Sequence, residues 1–316
     1  RDDGALTFDG ALTDVPREPD AVKWIDADHF ATANEGDYQG GSRGWSIFHR
    51  DGTVVYDSGS SFEHAVIRAG HYPDKRSDAK GVEPESIEVA TFGGIPHVFV
   101  VSERGSLIGV YDVSDPAAPR LTQLLPSGIS PEGIVALPAR DLLVTANEAD
   151  LGAEGGARAH VMLFGATDGP PSYPTITAEG ADGLIGWGAL SGLAAGDAPG
   201  QLFDVSDSAY GAQPAIHTID ATRTPARITA KTIVTRNGDP AQKLDLEGIT
   251  PDGQGGFWLA SEGRSDRLIP HAIIHVDAQG EIQEEIGLPD DAPAPPPLAD
   301  DAAIAERFED PRDPMR

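Results

Sequence analysis

Residues 244–282 read LDLEGITPDGQGGFWLASEGRSDRLIPHAIIHVDAQGEI, and this stretch decides the fold. Glu247-Gly248-Ile249 opens a short strand, and Asp252-Gly253-Gln254-Gly255-Gly256 supplies a glycine-rich turn. Phe257 to Ser261 is a second strand that ends on an acid, Glu262, and Ile274-His275-Val276 is a third that ends on Asp277. Aromatic and β-branched runs of this length, bounded by Gly and Asp, are hairpin strands. The same grammar recurs upstream. Pro131-Glu132-Gly133-Ile134 precedes Ala146-Asn147-Glu148, and Pro84-Glu85-Ser86-Ile87 precedes Ser102-Glu103 and Tyr111-Asp112. Looser copies are Pro19-Asp20-Ala21-Val22 with Asn34-Glu35, and Ser191-Gly192-Leu193 with Ser206-Asp207 and Asp220. The second acids, Glu35, Glu103, Glu148, Asp207 and Glu262, follow one another in steps of 68, 45, 59 and 55 residues. Repeated four-strand units of this length predict an all-β fold, a β-propeller of four-stranded antiparallel blades. Five blades are recognisable, in a ring that is incomplete.

The midpoint between the two polar residues of each copy falls on a turn: FGGIP for Glu85 and Glu103, PARD for Glu132 and Glu148, DGQGG for Glu247 and Glu262. Each pair is therefore expected to face itself across the open end of a hairpin, with Cα atoms ~5 Å apart. Blades are related by rotation about one axis, so the pairs should gather at one end of it. Clustered carboxylates repel and need cations, arginines or protons. Calcium takes six to eight oxygen ligands and suits such a ring. Transition metals would want more histidine or sulfur. The expected metal ligands are Glu35, Glu85, Glu103, Glu132, Glu148 and Asp207. The competing reading of each acid is a turn cap or an acceptor of backbone N–H bonds.

The 316 residues hold 51 acidic and 23 basic side chains, for a net charge of -28. That argues against nucleic acid as the partner, because phosphate binding needs a basic footprint. There is no cysteine, hence no disulfide framework, thiol nucleophile or thiolate metal site. No apolar run is long enough to span a membrane. At 39% hydrophobic the chain can bury a core. Helical periodicity is confined to Ser61–Ala69 and a stretch near Ala299–Phe308.

The longer blocks carry a family resemblance. AVKWIDADHFATANEGDYQGG, KGVEPESIEV, VFVVSERGSLIGVYDVSDPAAP and SPEGIVALPARDLLVTANEAD resemble bacterial choice-of-anchor I propeller proteins. Residues 244–282 resemble the phytase-like family named for the esterase-like activity of phytase, whose members are often labelled alkaline phosphatase. The resemblance implies a propeller, export to the periplasm or the exterior, and phosphoester hydrolysis. The chain opens at Arg1 with no apolar leader, so the compartment comes from the resemblance alone. Residues 19–290 are expected to hold the blades, choice-of-anchor I-like over 19–180 and phytase-like over 181–290. Residues 1–18 read as the end strand of a missing blade and 291–316 as a Pro/Asp-rich tail, which together suggest a truncated member.

Other chemistries fit less well. There is no G-x-S-x-G elbow around Ser191 and no H-E-x-x-H. His271 and His275 share a strand face but read as partly buried strand residues. The glycines of DGQGG lack the helix and lysine of a phosphate loop. The expected reaction is calcium-assisted water attack on a phosphoester, with Glu247 and Glu262 as the catalytic carboxylates. Arg104, Arg264, Lys80 and Lys243 are candidate substrate clamps, since Arg forks and Lys bind phosphate. Their alternative role is an ion pair with the neighbouring acids. The expected partner is a small-molecule phosphoester or a cell-surface ligand, and the expected state is a monomer. Two further readings compete: a non-catalytic calcium-stabilised binding propeller, and a lactonase-type propeller hydrolase.

Overall fold

The computed structural model describes residues 6–11, 13–169, 173–263 and 268–287. Five blade sheets and one two-stranded hairpin follow one another along the described residues. The first blade is β1 (Pro19–Trp24), β2 (His29–Asn34), β3 (Gly44–His49) and β4 (Val54–Asp57) in sequential order. Helix α1 (Ser61–Arg68) follows it, burying Phe62, Ala65 and Val66 on one side at the expected 3–4 spacing. The second blade is β5 (Pro84–Phe92), β6 (Ile95–Ser102), β7 (Leu107–Asp112) and β8 (Arg120–Pro126). The third has three strands, β9 (Pro131–Leu137), β10 (Leu142–Asn147) and β11 (His160–Gly165).

The fourth blade is β13 (Leu190–Ala195), β14 (Gln201–Ser206), β15 (Ala215–Asp220) and β16 (Ala226–Ile233), with β12 (Ile176–Thr177) added parallel to β16. A small hairpin of β17 (Thr235–Arg236) and β18 (Asp239–Pro240) leads to the fifth blade, β19 (Leu246–Pro251), β20 (Phe257–Ser261), β21 (Ala272–Val276) and β22 (Ile282–Gly287). All pairings within the blades are antiparallel apart from β12 on β16. The turns are those the residues dictate. Gly93 and Gly94, at φ 58° and 81°, close the two-residue hairpin between Phe92 and Ile95, a geometry that disfavours a Cβ at both positions.

The blades stack face to face through apolar cores. Ala31, Trp45, Phe62, Val98 and Leu107 fill the space between blades one and two. Phe99, Val101, Leu143 and Phe164 fill that between two and three, and Val205, Ile216, Leu259 and Ile274 that between four and five. Each fully buried aliphatic contributes ~1.5–3 kcal/mol. The innermost strands follow: β1 packs on β5, β5 on β9, and β13 on β19. The result is an arc of three blades and an arc of two. The segment after blade one ties them, since the carbonyl of Arg68 accepts from both Ala178 N (2.9 Å) and Trp187 Nε1 (3.0 Å). This is an incomplete β-propeller. Of residues 1–18, read as the end strand of a missing blade, those described form no strand. The expected helix near 299–308 and the tail 291–316 lie outside the described residues.

Candidate functional site

Each blade opens with the same defect. In all five, the first strand carries one extra residue opposite the second strand: Asp20, Glu85, Glu132, Ser191 and Glu247. A β-bulge of this kind re-aims the extra side chain and ends the regular pairing. Beyond it the backbone rejoins. The N–H groups of Glu35, Glu103, Glu148, Asp207 and Glu262 donate to the carbonyls of Glu18, Glu83, Ser130, Ala189 and Asp245 at 2.8–3.0 Å.

The bulge corrects the expected pairing. The residue opposite Glu103 is Glu83, not Glu85, and the one opposite Glu262 is Asp245, not Glu247. The sequence signal was the residue two places before each bulge: E-P-D at 18–20, E-P-E at 83–85, S-P-E at 130–132, A-L-S at 189–191 and D-L-E at 245–247. A carboxylate on both sides of a proline or leucine brings two acids to one blade entrance. The earlier of the two was missed.

The carboxylates gather between blades rather than within hairpins. Glu35 of blade one meets Glu83 and Glu85 of blade two, and Glu85 and Glu103 meet Glu132 of blade three. Asp207 of blade four meets Asp245 and Glu247 of blade five. In each group three oxygens lie within 4.8 Å of one another, as they do for Glu18, Glu35 and Asp37 in blade one. The junction between blades three and four has Ala189 and Ser191 at the corresponding positions, and Glu148 stands outside all four groups among the described residues. Ser191 instead donates to the carbonyl of Leu246 at 2.7 Å, and Gly192 lies so near the carbonyl of Glu247 that a Cβ would sit 3.0 Å from it. Those two contacts hold β13 against β19 and set Asp207 beside Glu247.

The groups differ in how their charge is met. Glu83, only 1% exposed, accepts from Lys80 (2.9 Å), Arg76 (2.7 Å) and Arg104 (2.7 Å). Lys80 also pairs with Glu35, and Arg104 Nη1 lies 2.7 Å from Glu103 Oε1. Lys80 and Arg104 thus take the ion-pair role rather than standing free as substrate clamps. The cations do not reach every acid. Burial, together with Glu132, Glu35, Asp20 and Glu103, pushes Glu85 up to about 8, and burial with Glu83 pushes Glu103 up to about 7. Burial and Glu148 raise Glu132 as well.

At the junction of blades four and five, no lysine or arginine among the described residues pairs with Asp207, Asp245 or Glu247. Asp245 is buried and accepts from Ser208 Oγ at 2.7 Å, while its own N–H donates to Ser261 Oγ at 3.1 Å. Burial, Asp207, Asp245 and Glu262 all raise Glu247. Glu262 is exposed beside it. Lys243 is exposed and has no carboxylate partner among the described residues. Arg264 lies outside the described residues. Of the two histidines, His275 bonds Asp252 through Nε2 at 2.9 Å and stacks its ring on Trp258 at 4.6 Å, while His271 is exposed.

The donor set at the fourth junction is three carboxylates, hard oxygens with no paired cation, which fits a calcium ion. Residues 185–307 match the family model "Esterase-like activity of phytase", and residues 38–116 match the choice-of-anchor I domain. The chain is thus a β-propeller with one segment similar to each of these two models. Among solved structures, it is similar at 16% identity and a TM-score of 0.26 to hydrazine synthase of Kuenenia stuttgartiensis. That likeness covers 65% of this chain and 49% of the other, so the chain spans about half that protein's length. No curated protein matches the chain. No helix among the described residues is long and apolar enough to cross a membrane.

Proposed function

We propose that this propeller is a calcium-dependent phosphoester hydrolase of the phytase-like kind, acting at the surface of the cell or outside it. The observation that carries the proposal is the group Asp207, Asp245 and Glu247, three carboxylates without a cation inside the segment that matches the phytase-like model. Those three residues would hold the ion. When bound, calcium supplies Lewis-acid polarisation of a phosphoryl oxygen and a more acidic water. The chain supplies the rest. Asp245, fixed by Ser208, orients the group. Glu262, exposed next to Glu247, accepts the proton of the attacking water on its carboxylate. Lys243, unpaired and exposed among the described residues, supplies positive charge toward the phosphate.

Turnover of p-nitrophenyl phosphate and phytate, with calcium and then with chelator, tests this. Calcium-dependent turnover that is lost in Glu247→Gln and Glu262→Gln supports it. A second reading is a non-catalytic, calcium-stabilised binding propeller. It is favoured by Lys80 and Arg104, both committed to carboxylates rather than free for substrate. Calcium-dependent melting without turnover would select it. Turnover of lactones but not phosphates would select a lactonase-type hydrolase.

A further inference from the structure

Among the described residues, the third blade stops one strand short. Its sheet is β11-β10-β9, and β11 has a partner on one side only among the described residues. Of the six residues of β11, HVMLFG, none is a lysine, arginine, aspartate, glutamate or proline. The other outermost blade strands are protected differently. β4 ends in Asp57, β8 begins with Arg120, β22 carries Glu284 and Glu285, and β16 is covered by β12. Natural sheets guard their edges with charge, proline or a cover, and among the described residues β11 has none of these. It also turns Val161 and Leu163, 58% and 62% exposed, to the face that blade three does not bury against blade two. Val135 and Leu137 of β9 are exposed on that same face.

We infer that β11 is a self-pairing edge, and that its occupant is β11 of a second copy of this chain, antiparallel about a two-fold axis. Charge selects that occupant. A two-fold edge doubles whatever charge its strand carries within a few residues of the axis, so at β4, β8 or β22 it would bring like charges close together, whereas β11 brings together only histidine and apolar residues. The chain's net charge of -28 opposes any contact between copies, and an uncharged strand offers the place where that repulsion is weakest. With the axis through Met162 and perpendicular to the sheet, Val161 lies opposite Leu163 of the second copy. The two three-stranded blades then form one six-stranded sheet with a continuous aliphatic face.

Sedimentation velocity over a range of protein and salt concentrations tests the inference. The expected result is a monomer–dimer equilibrium that salt strengthens by screening. Val161→Lys and Leu163→Lys should abolish the dimer, with no change in melting temperature at concentrations where the parent is monomeric, because both side chains are already exposed. Because the chain lacks cysteine, Met162→Cys adds a single thiol at the proposed axis, and oxidation by copper-phenanthroline should trap a disulfide-linked dimer. A control thiol, Val22→Cys on blade one, should stay monomeric. A monomer under all conditions would overturn the inference. So would open-ended association, or a dimer that survives Leu163→Lys and leaves the Met162→Cys thiol unlinked.

Discussion

The junction of blades one and two and the junction of blades four and five are built alike. Both set an acid that follows a second strand against a bulged acid and the acid two places before it: Glu35 with Glu85 and Glu83, and Asp207 with Glu247 and Asp245. The first brings its own cations. Lys80, Arg76 and Arg104 converge on Glu83, which is held with φ at 51°, a left-handed conformation that costs a non-glycine residue energy. The other has no such lysine or arginine among the described residues, and its buried acid is held by a serine. A repeated backbone device therefore yields two settings, one closed by ion pairs and one with no paired lysine or arginine among the described residues, and a few basic residues decide between them.

The largest expected effect tests the closed junction. Glu83→Gln leaves Lys80, Arg76 and Arg104 without their shared carboxylate, and breaking a buried ion cluster costs about 3 kcal/mol or more. Urea unfolding should show that loss, equally with calcium and with chelator. Next is the open junction. Calcium at 100 times its dissociation constant should stabilise the parent by about 2.7 kcal/mol. Asp245→Asn should remove that increment while leaving the chelated protein no less stable, since it relieves repulsion within the trio. Glu35→Gln should leave the calcium increment intact.

A third test uses pH. Glu85 is raised from 4.5 to about 8 and Glu103 from 4.5 to about 7. The folded state therefore binds more protons than the unfolded one across this range. Stability should fall as pH rises from about 4.5 to about 8, and these two groups should contribute no further change above that. Melting temperatures of the chelated protein across that window check the sign, and Glu85→Gln should flatten the slope. The smallest effect is expected from Ser208→Ala. Losing one hydrogen bond to Asp245 should cost about 1 kcal/mol and weaken calcium binding modestly.

Much of this was legible in the sequence, for definite reasons. Period-two strands punctuated by Asp-Gly and Gly-Gly turns reveal a repeated blade, because turn chemistry is local. The five blade entrances were found because Glu85, Glu132 and Glu247 each precede an aliphatic strand. The pairing was not legible. A bulge shifts register by one residue without changing composition, so midpoint counting put Glu85 opposite Glu103 where the backbone puts Glu83. The ion pairs of Lys80 and Arg104 were open between two roles, because which acid a long side chain reaches depends on the neighbouring blade. That blade three shows no fourth strand among the described residues was also beyond a reading of spacing, since the residues after Gly165 still fall within one period of the repeat.

The central claim is that the trio Asp207, Asp245 and Glu247 takes a cation from solution, whereas Glu35, Glu83 and Glu85 do not. Calorimetric titration of calcium into the parent, Asp245→Asn and Glu35→Gln measures this directly. The account predicts one saturable site in the parent, lost in Asp245→Asn and retained in Glu35→Gln. No binding heat in the parent, or equal binding in all three proteins, would contradict it.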